Sequence, residues 1–283
     1  MNLPILFVTT FLLFSCAKQQ TDQPAVDLKA ETTTELSYGS DPKQKLDIYL
    51  PASRTSTKTK LLVLIHGGGW SEGDKNDFNL FITELQKRLP DFAIANINYR
   101  LFSTGKNLFP TQENDVKSAL SFLIQKSSEY QYSKDVALLG ASAGAHLALL
   151  QSYKYTDPVK IKAVVSLFGP TELTTLYNNP PSAAIPDLLK SVTGGTPSSS
   201  ENIYKQSSPY TFITASSPAT LLLHGGKDPL VPASQSVMVK EKLASLSVVA
   251  QYELYPNEGH GWTGNNMLDS FNKIEQFLKQ QMK

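Results

Sequence analysis

Six apolar runs punctuate the chain beyond residue 60, at 61–65, 92–97, 136–139, 161–168, 219–223 and 248–255. Two, 61–65 and 136–139, are unbroken Val, Ile, Leu and Ala, the pattern of strands buried on both faces, and the others are interrupted at one or a few positions. Between them, apolar residues recur at helical spacing. Residues 79–88 place Leu80, Phe81, Leu85 and the adjoining Leu89 on one side, and 111–125 carry Val116, Leu120, Leu123 and Ile124. A short stretch at 145–150 and a final one at 267–280 read the same way. Strands alternating with helices predict an α/β fold, a mostly parallel sheet covered by helices on both faces. Ahead of it, 35–38 and 45–50 read as an antiparallel pair joined by the turn residues Gly39-Ser40-Asp41-Pro42.

Two stretches break the alternation. Residues 170–217 are interrupted by Gly169-Pro170, Asn179-Pro180-Pro181, Gly194-Gly195-Thr196-Pro197 and Ser207-Ser208-Pro209. They predict a small cap of loops and short helices over the carboxyl ends of the strands. Tyr177, Tyr204, Tyr210 and Phe212 are available to line a cleft there, but the cap's own core is the stronger claim on most of them. At the other end, the apolar run 3–14 is shorter than the roughly 20 residues that cross a bilayer, and suits the core of a signal peptide. Leu13-Phe14-Ser15-Cys16 resembles the lipobox of bacterial lipoproteins, in which the cysteine is lipidated and becomes the new N-terminus. Residues 17–34 are polar and aperiodic. The division expected is a signal peptide at 1–16, a flexible tether at 17–34 and a catalytic domain at 35–283. Such a protein would be exported, periplasmic or on the cell surface, and held to a membrane only through Cys16.

A chain of 283 residues suits one large α/β domain. Its 26 Lys and Arg offset 25 Asp and Glu without a basic block, so nothing in the charge pattern points to nucleic acid or an anionic surface. Cys16 is the sole cysteine, which excludes a disulfide framework.

The chemistry centres on Gly140-Ala141-Ser142-Ala143-Gly144, between an apolar run and a helical stretch. Small residues on both sides of a serine permit a tight strand-to-helix turn, which presents the hydroxyl at the carboxyl edge of a sheet above a helix N-terminus. Acyl transfer through Ser142 needs a base, an acid to hold the base, and N–H donors for the oxyanion. His66-Gly67-Gly68-Gly69-Trp70 follows a central strand, and its glycines let backbone N–H groups face a cavity. No Lys-Ser/Thr follows and no G-x-G-x-x-G frame is present, so a phosphate loop is the weaker reading. The N–H of Ala143 is a further donor. Of the four histidines, His66 belongs to the glycine loop, His146 lies one turn into the elbow helix and His224 ends a buried strand. His260, between Gly259 and Gly261 after the last long strand, is left as the base. Asp228, just past the run 219–223, is the acid in the order Ser…Asp…His, ahead of Asp157 and Asp187. Asp115 is accounted for as a favourable charge in the first turns of a helix, and Tyr99 and Arg100 are placed to brace the glycine loop.

Together these motifs resemble the α/β-hydrolase fold, and within it the acetyl-esterase and feruloyl-esterase group near the hormone-sensitive-lipase-type carboxylesterases. The residues that carry the resemblance are His66 to Trp70, Gly140 to Gly144 with Ala145-His146-Leu147-Ala148, His224 to Pro232 with Gln235-Ser236, and Gly259-His260-Gly261. It implies an acyl-enzyme mechanism on carboxylic esters, with no metal and no cofactor. Ser142 would be nucleophile, His260 base and Asp228 its orienter, with Gly68, Gly69 and Ala143 as oxyanion donors. Substrates would be small esters or esters on a polysaccharide, acetyl or feruloyl groups among them. An arylformamidase-like amidase and a prolyl-oligopeptidase-like peptidase are competing readings of the same motifs. A binding module on a hydrolase scaffold would ordinarily have lost one of these residues.

Overall fold

The computed structural model describes residues 28–283. The expected signal peptide, the lipidation site Cys16 and most of the tether lie outside the described residues. Eight strands form one sheet: β1 (Glu31–Ser37), β2 (Lys45–Leu50), β3 (Lys60–Ile65), β4 (Phe92–Ile97), β5 (Val136–Ala141), β6 (Ala163–Leu167), β7 (Ala219–Gly225) and β8 (Ala250–Tyr255). Their order across the sheet is β1-β2-β4-β3-β5-β6-β7-β8. The pairs β1–β2 and β2–β4 are antiparallel, and from β4 to β8 every pair is parallel.

Among the described residues, eight α-helices accompany the strands: α1 (Asn79–Arg88), α2 (Thr111–Tyr130), α3 (Ala143–Lys154), α4 (Leu173–Asn178), α5 (Ala184–Thr193), α6 (Glu201–Gln206), α7 (Ser234–Ser245) and α8 (Gly264–Gln281). The strand period of two divides the core between the faces. Leu61, Val63 and Ile65 of β3 pack with Val116 and Leu120 of α2, Leu147 of α3 and Val239 of α7. Leu62 and Leu64 pack on the other face with Ile82 and Leu85 of α1 and Phe271, Ile274 and Phe277 of α8. This is the expected α/β-hydrolase architecture.

Three local differences from the sequence reading have physical causes. The first strand begins at Glu31 and not at residue 35, so 31–34 are strand and not tether. As an edge strand paired only with β2, it buries little, and its threonines suit a pleated, half-exposed surface. Its register shifts between Thr33 and Leu36, where Glu35 has φ +58° and donates its N–H to Asp47 Oδ1 at 2.8 Å. That irregularity hides the strand period. Helix α2 runs past residue 125 to Tyr130 and stops at Gln131, which is left-handed at φ +58°. Asp115, near the start of α2 as expected, does more than charge a helix end. It is fully buried, receives Arg100 N–H, Nε–H and Nη2–H bonds, and accepts a further bond from Gln44 Nε2 at 2.8 Å. It joins the turn before β2, the loop after β4 and α2. Arg100 therefore does not brace the glycine loop.

Candidate active site

The carboxyl ends of the parallel strands carry Ser142, the glycine loop, Asp228 and His260. At the end of β5 the chain turns into α3 through Ser142, whose φ of +53° and ψ of −119° lie outside the ordinary regions for an L-residue. The turn is held because Ser142 N–H donates to Leu167 O at 2.8 Å and its carbonyl accepts from His146 N at 3.0 Å. A side chain at Gly144 would collide with the Ile65 and His66 carbonyls, so only glycine allows the elbow to pack on the end of β3.

Ser142 Oγ lies 2.8 Å from His260 Nε2, and His260 Nδ1 lies 2.7 Å from Asp228 Oδ2. A carboxylate only accepts, so Nδ1 carries the proton and Nε2 is left to accept from the serine hydroxyl. The other carboxylate oxygen, Oδ1, accepts N–H bonds from Leu230 at 2.8 Å and Val231 at 2.9 Å. Burial by itself would raise the Asp228 carboxyl. Hydrogen bonds from His224, His260 and the Val231 N–H outweigh it and hold the group well below the usual carboxylate range. The rivals lie elsewhere, Asp157 against Lys117 on the surface and Asp187 in the first turn of α5.

His260 reaches Ser142 from a loop that rests on β7. Gly226 N–H donates to Tyr255 O and Lys227 N–H to Glu258 O, each at 2.8 Å. A Cβ at Gly225 would strike the Gly259 and Glu258 carbonyls. Gly225 and Gly226 thus set how closely the histidine loop approaches the strand end, a role their place in His224 to Pro232 did not disclose. His224 itself is buried, its Nε2–H shared between Val231 O at 2.9 Å and Asp228 Oδ2 at 3.4 Å, and it accepts from Ser236 Oγ at Nδ1 at 2.7 Å. His146 is packed, as expected of a histidine inside the elbow helix. It accepts from Trp70 Nε1 at 3.2 Å and donates to Ser207 O at 2.6 Å, and burial pushes its pKa down to about 4 against the opposing Ser207 bond.

The glycine loop shows how its N–H groups are turned. Gly67 O accepts from Tyr99 OH at 3.1 Å and from His66 Nδ1 at 2.8 Å, and Gly68 O accepts from the N–H groups of Ser71 and Glu72 at 3.0 and 2.9 Å. A trans peptide points its N–H opposite its carbonyl, so the N–H groups of Gly68 and Gly69 face the other way. Both residues line the cavity that contains Ser142. Ala143, first in α3, has no intrahelical acceptor for its N–H and lines the same cavity. Tyr99 braces the loop as expected, with its ring stacked on His66 at 4.4 Å.

The cavity over Ser142 measures about 470 Å³ and is roofed by Leu176 of α4 and by Ile185, Leu188 and Leu189 of α5. Among the described residues, Glu72 is the one carboxylate along its wall. The four cap aromatics do not line it. Tyr204 is fully buried and meets Tyr177 edge to face at 5.8 Å, while Tyr210 and Phe212 pack toward the main core. The sequence predicts short helices in the cap without locating α5, although Ile185, Leu188, Leu189 and Val192 follow the spacing i, i+3, i+4, i+7. Among the described residues, no group of three or more His, Cys, Asp or Glu is arranged to hold a metal ion.

Comparison with known proteins places these features in context. The family model BD-FAE matches residues 46–243. A probable carboxylic ester hydrolase, LipM of Mycobacterium tuberculosis, is 30% identical over 226 residues, covering 75% of this chain and 52% of its own. A probable isoprenylcysteine alpha-carbonyl methylesterase of Arabidopsis thaliana, ICMEL1, is 29% identical, covering 79% and 49%. The chain thus spans about half the length of these curated relatives. Among solved structures, a bifunctional GH43-CE protein of Bacteroides eggerthii superposes with a TM-score of 0.75 at 27% identity, covering 89% of this chain and 38% of that one. A truncated carbohydrate esterase from gut microbiota superposes with a TM-score of 0.76 at 24% identity, over 92% and 99% of the two chains, a likeness of fold.

Proposed function

The chain belongs to the BD-FAE family, of α/β-hydrolase fold, and from that premise we propose that it is a serine carboxylesterase that cleaves short-chain acyl or aryl esters through an acyl-enzyme. The observation that carries the reading is the unbroken hydrogen-bond chain from Ser142 Oγ through His260 to Asp228. In the first step Ser142 Oγ attacks the ester carbonyl carbon while its proton passes to His260 Nε2. The carbonyl oxygen becomes an oxyanion facing the N–H groups of Gly68, Gly69 and Ala143, where the N-terminus of α3 adds its dipole. Ionised Asp228 stabilises the imidazolium and fixes its orientation. When the tetrahedral intermediate collapses, His260 gives the proton to the departing alcohol oxygen. Water then repeats the sequence on the acyl-enzyme, releasing the carboxylic acid and free Ser142.

The wide cavity and the carbohydrate-esterase neighbour support acetyl or aryl groups on polysaccharide as the natural esters. An exported lipoprotein held through Cys16 would meet such a polymer outside the cytoplasm. The activity is tested with p-nitrophenyl acetate beside the Ser142→Ala variant. Serine loss should lower kcat by about 10⁶, as in other triads, with the fold unchanged. Equal turnover by the variant would refute the assignment of Ser142. The anchor is tested separately: Cys16→Ser should move the protein from the membrane fraction to the soluble one, and retention in the membrane would reject lipidation.

A further inference from the structure

The candidate oxyanion donors come from two limbs of the chain. Gly68 and Gly69 sit in the loop after β3, and Ala143 opens α3. Glycine packing joins the limbs at their base, where a Cβ at Gly67 would meet the Ala141 carbonyl at 3.0 Å and one at Gly144 would strike the Ile65 and His66 carbonyls. A second tie lies beyond the donors. There the chain turns back on itself, with Gly68 O accepting from the N–H groups of Ser71 and Glu72. Trp70 stands within that turn at φ +60°, buried, and its Nε1–H donates to His146 Nδ1 at 3.2 Å. His146 lies in the first turn of α3, and its own N–H donates to Ser142 O at 3.0 Å. The path from Gly69 through Trp70 and His146 to Ser142 therefore closes a ring around the place where the oxyanion forms.

We propose that His146 is a positioning residue of the esterase: through Trp70 it holds the Gly68 and Gly69 N–H groups at the distance from the Ala143 N–H that a tetrahedral oxyanion requires. The inference rests on the serine esterase reading above. The tie works in one tautomer alone. Ser207 O can only accept, so the imidazole proton sits on Nε2, 2.6 Å from that oxygen, and Nδ1 is left to accept from the indole. A carbonyl of the cap thereby selects the ring form that holds the glycine loop. Edge contacts with the Phe109 ring at 5.4 Å and the His146 ring at 5.1 Å confine the indole, and Trp70 O accepts from Phe102 N at 2.8 Å. Both rings of the tie are buried. An indole N–H deprived of Nδ1 has no bulk water to turn to and must move to find a partner. The turn passes that movement to Gly69, the adjoining residue. A misplacement of about 1 Å can cost on the order of 100-fold in rate, and loss of one oxyanion donor about 10²–10³.

The test separates the ground state from the transition state. Trp70→Phe keeps an aromatic ring and removes the N–H, His146→Leu removes the acceptor, and His146→Asn puts an amide oxygen near the place of Nδ1. Each is assayed on p-nitrophenyl acetate, with Ser142→Ala as background, and for inhibition by trifluoroacetophenone. Ser142 Oγ adds to the carbonyl carbon of that ketone while its proton passes to His260, and the ketone oxygen becomes the oxyanion of a hemiketal. Trp70→Phe and His146→Leu should each lower kcat at least tenfold with KM within threefold of wild type, and should raise the inhibition constant at least tenfold. The double variant should lose no more than the worse single one, because both remove the same bond. His146→Asn should restore kcat to within threefold of wild type. A residue that only supported the fold would lower Tm and leave kcat and the inhibition constant of the folded fraction unmoved. Values of both within threefold of wild type in Trp70→Phe would therefore overturn the positioning role, whether or not His146→Leu folds. Absence of Ser142-dependent hydrolysis in the wild type would overturn the esterase reading itself, and the positioning role with it.

Discussion

At the scale of single residues, Asp228 separates orientation from charge. Its Oδ1 is satisfied by the Leu230 and Val231 N–H groups, and its Oδ2 receives His260 Nδ1–H. Asparagine keeps the shape, and its carbonyl oxygen can still serve those N–H groups. Its amide then faces His260 Nδ1 as a donor, which drives the imidazole proton to Nε2 and removes the acceptor that Ser142 needs. Asp228→Asn should therefore lower kcat for p-nitrophenyl acetate by about 10⁴ with an unchanged circular dichroism spectrum. A loss under tenfold would mean that His260 is oriented by other groups. Ser142, His260 and Asp228 were readable in the sequence because each sits in a short run of turn residues directly after a strand. Phe168 was not, because nothing in Leu167-Phe168-Gly169 separates a cavity wall from the end of a buried strand.

At the scale of elements, the cap and the α3 elbow were legible to different degrees. Asp115 looked like a helix-start charge because sequence position gives its turn and not its burial. The partners that bury it, Arg100 and Gln44, come from two other loops. Helix α5 was hidden for a related reason, since the prolines and glycines around it dominate the reading of a window that holds one amphipathic helix. His146 ties these parts together, joining α3 to the glycine loop through Trp70 and to the cap through Ser207. Its pKa of about 4, held down by burial, lies below the 6.5 of the unfolded chain, so the unfolded state binds the extra proton between those values. The stability from neutral His146 is complete above pH 6.5 and is lost as pH falls toward 4, on the order of 3 kcal/mol in all. Asp228, depressed, contributes in a lower window, below its unfolded value near 3.9. Urea midpoints measured from pH 7 to pH 4.5 should fall steadily for the wild type and more shallowly for His146→Gln. Parallel curves would assign the acid sensitivity to other groups.

At the scale of the whole molecule, the alternation of apolar runs and helical stretches made the parallel sheet legible, because strands buried on both faces must be continuously apolar. The N-terminal border was the poorest inference, since an edge strand has no such obligation. The structure locates that border by what it satisfies. Arg54, buried, donates to the carbonyls of Lys29 and Tyr130 and to Glu31 Oε2 at 3.1 Å, and Ser53 N–H donates to Leu28 O at 2.7 Å. Residues 28–34 thus complete a buried guanidinium besides pairing as the first half of β1. A chain of residues 28–283 should fold and hydrolyse p-nitrophenyl acetate with kcat/KM within twofold of the full sequence. A chain beginning at residue 35 strips Arg54 of two acceptors, a cost of about 1–3 kcal/mol, and its Tm should fall by roughly 2–12 °C. Because β1 lies at the far edge of the sheet from β7 and β8, that loss should appear in stability first, with kcat little changed in the folded fraction. Equal melting temperatures for the two chains would mean that residues 28–34 are tether after all and that Arg54 finds water in their place.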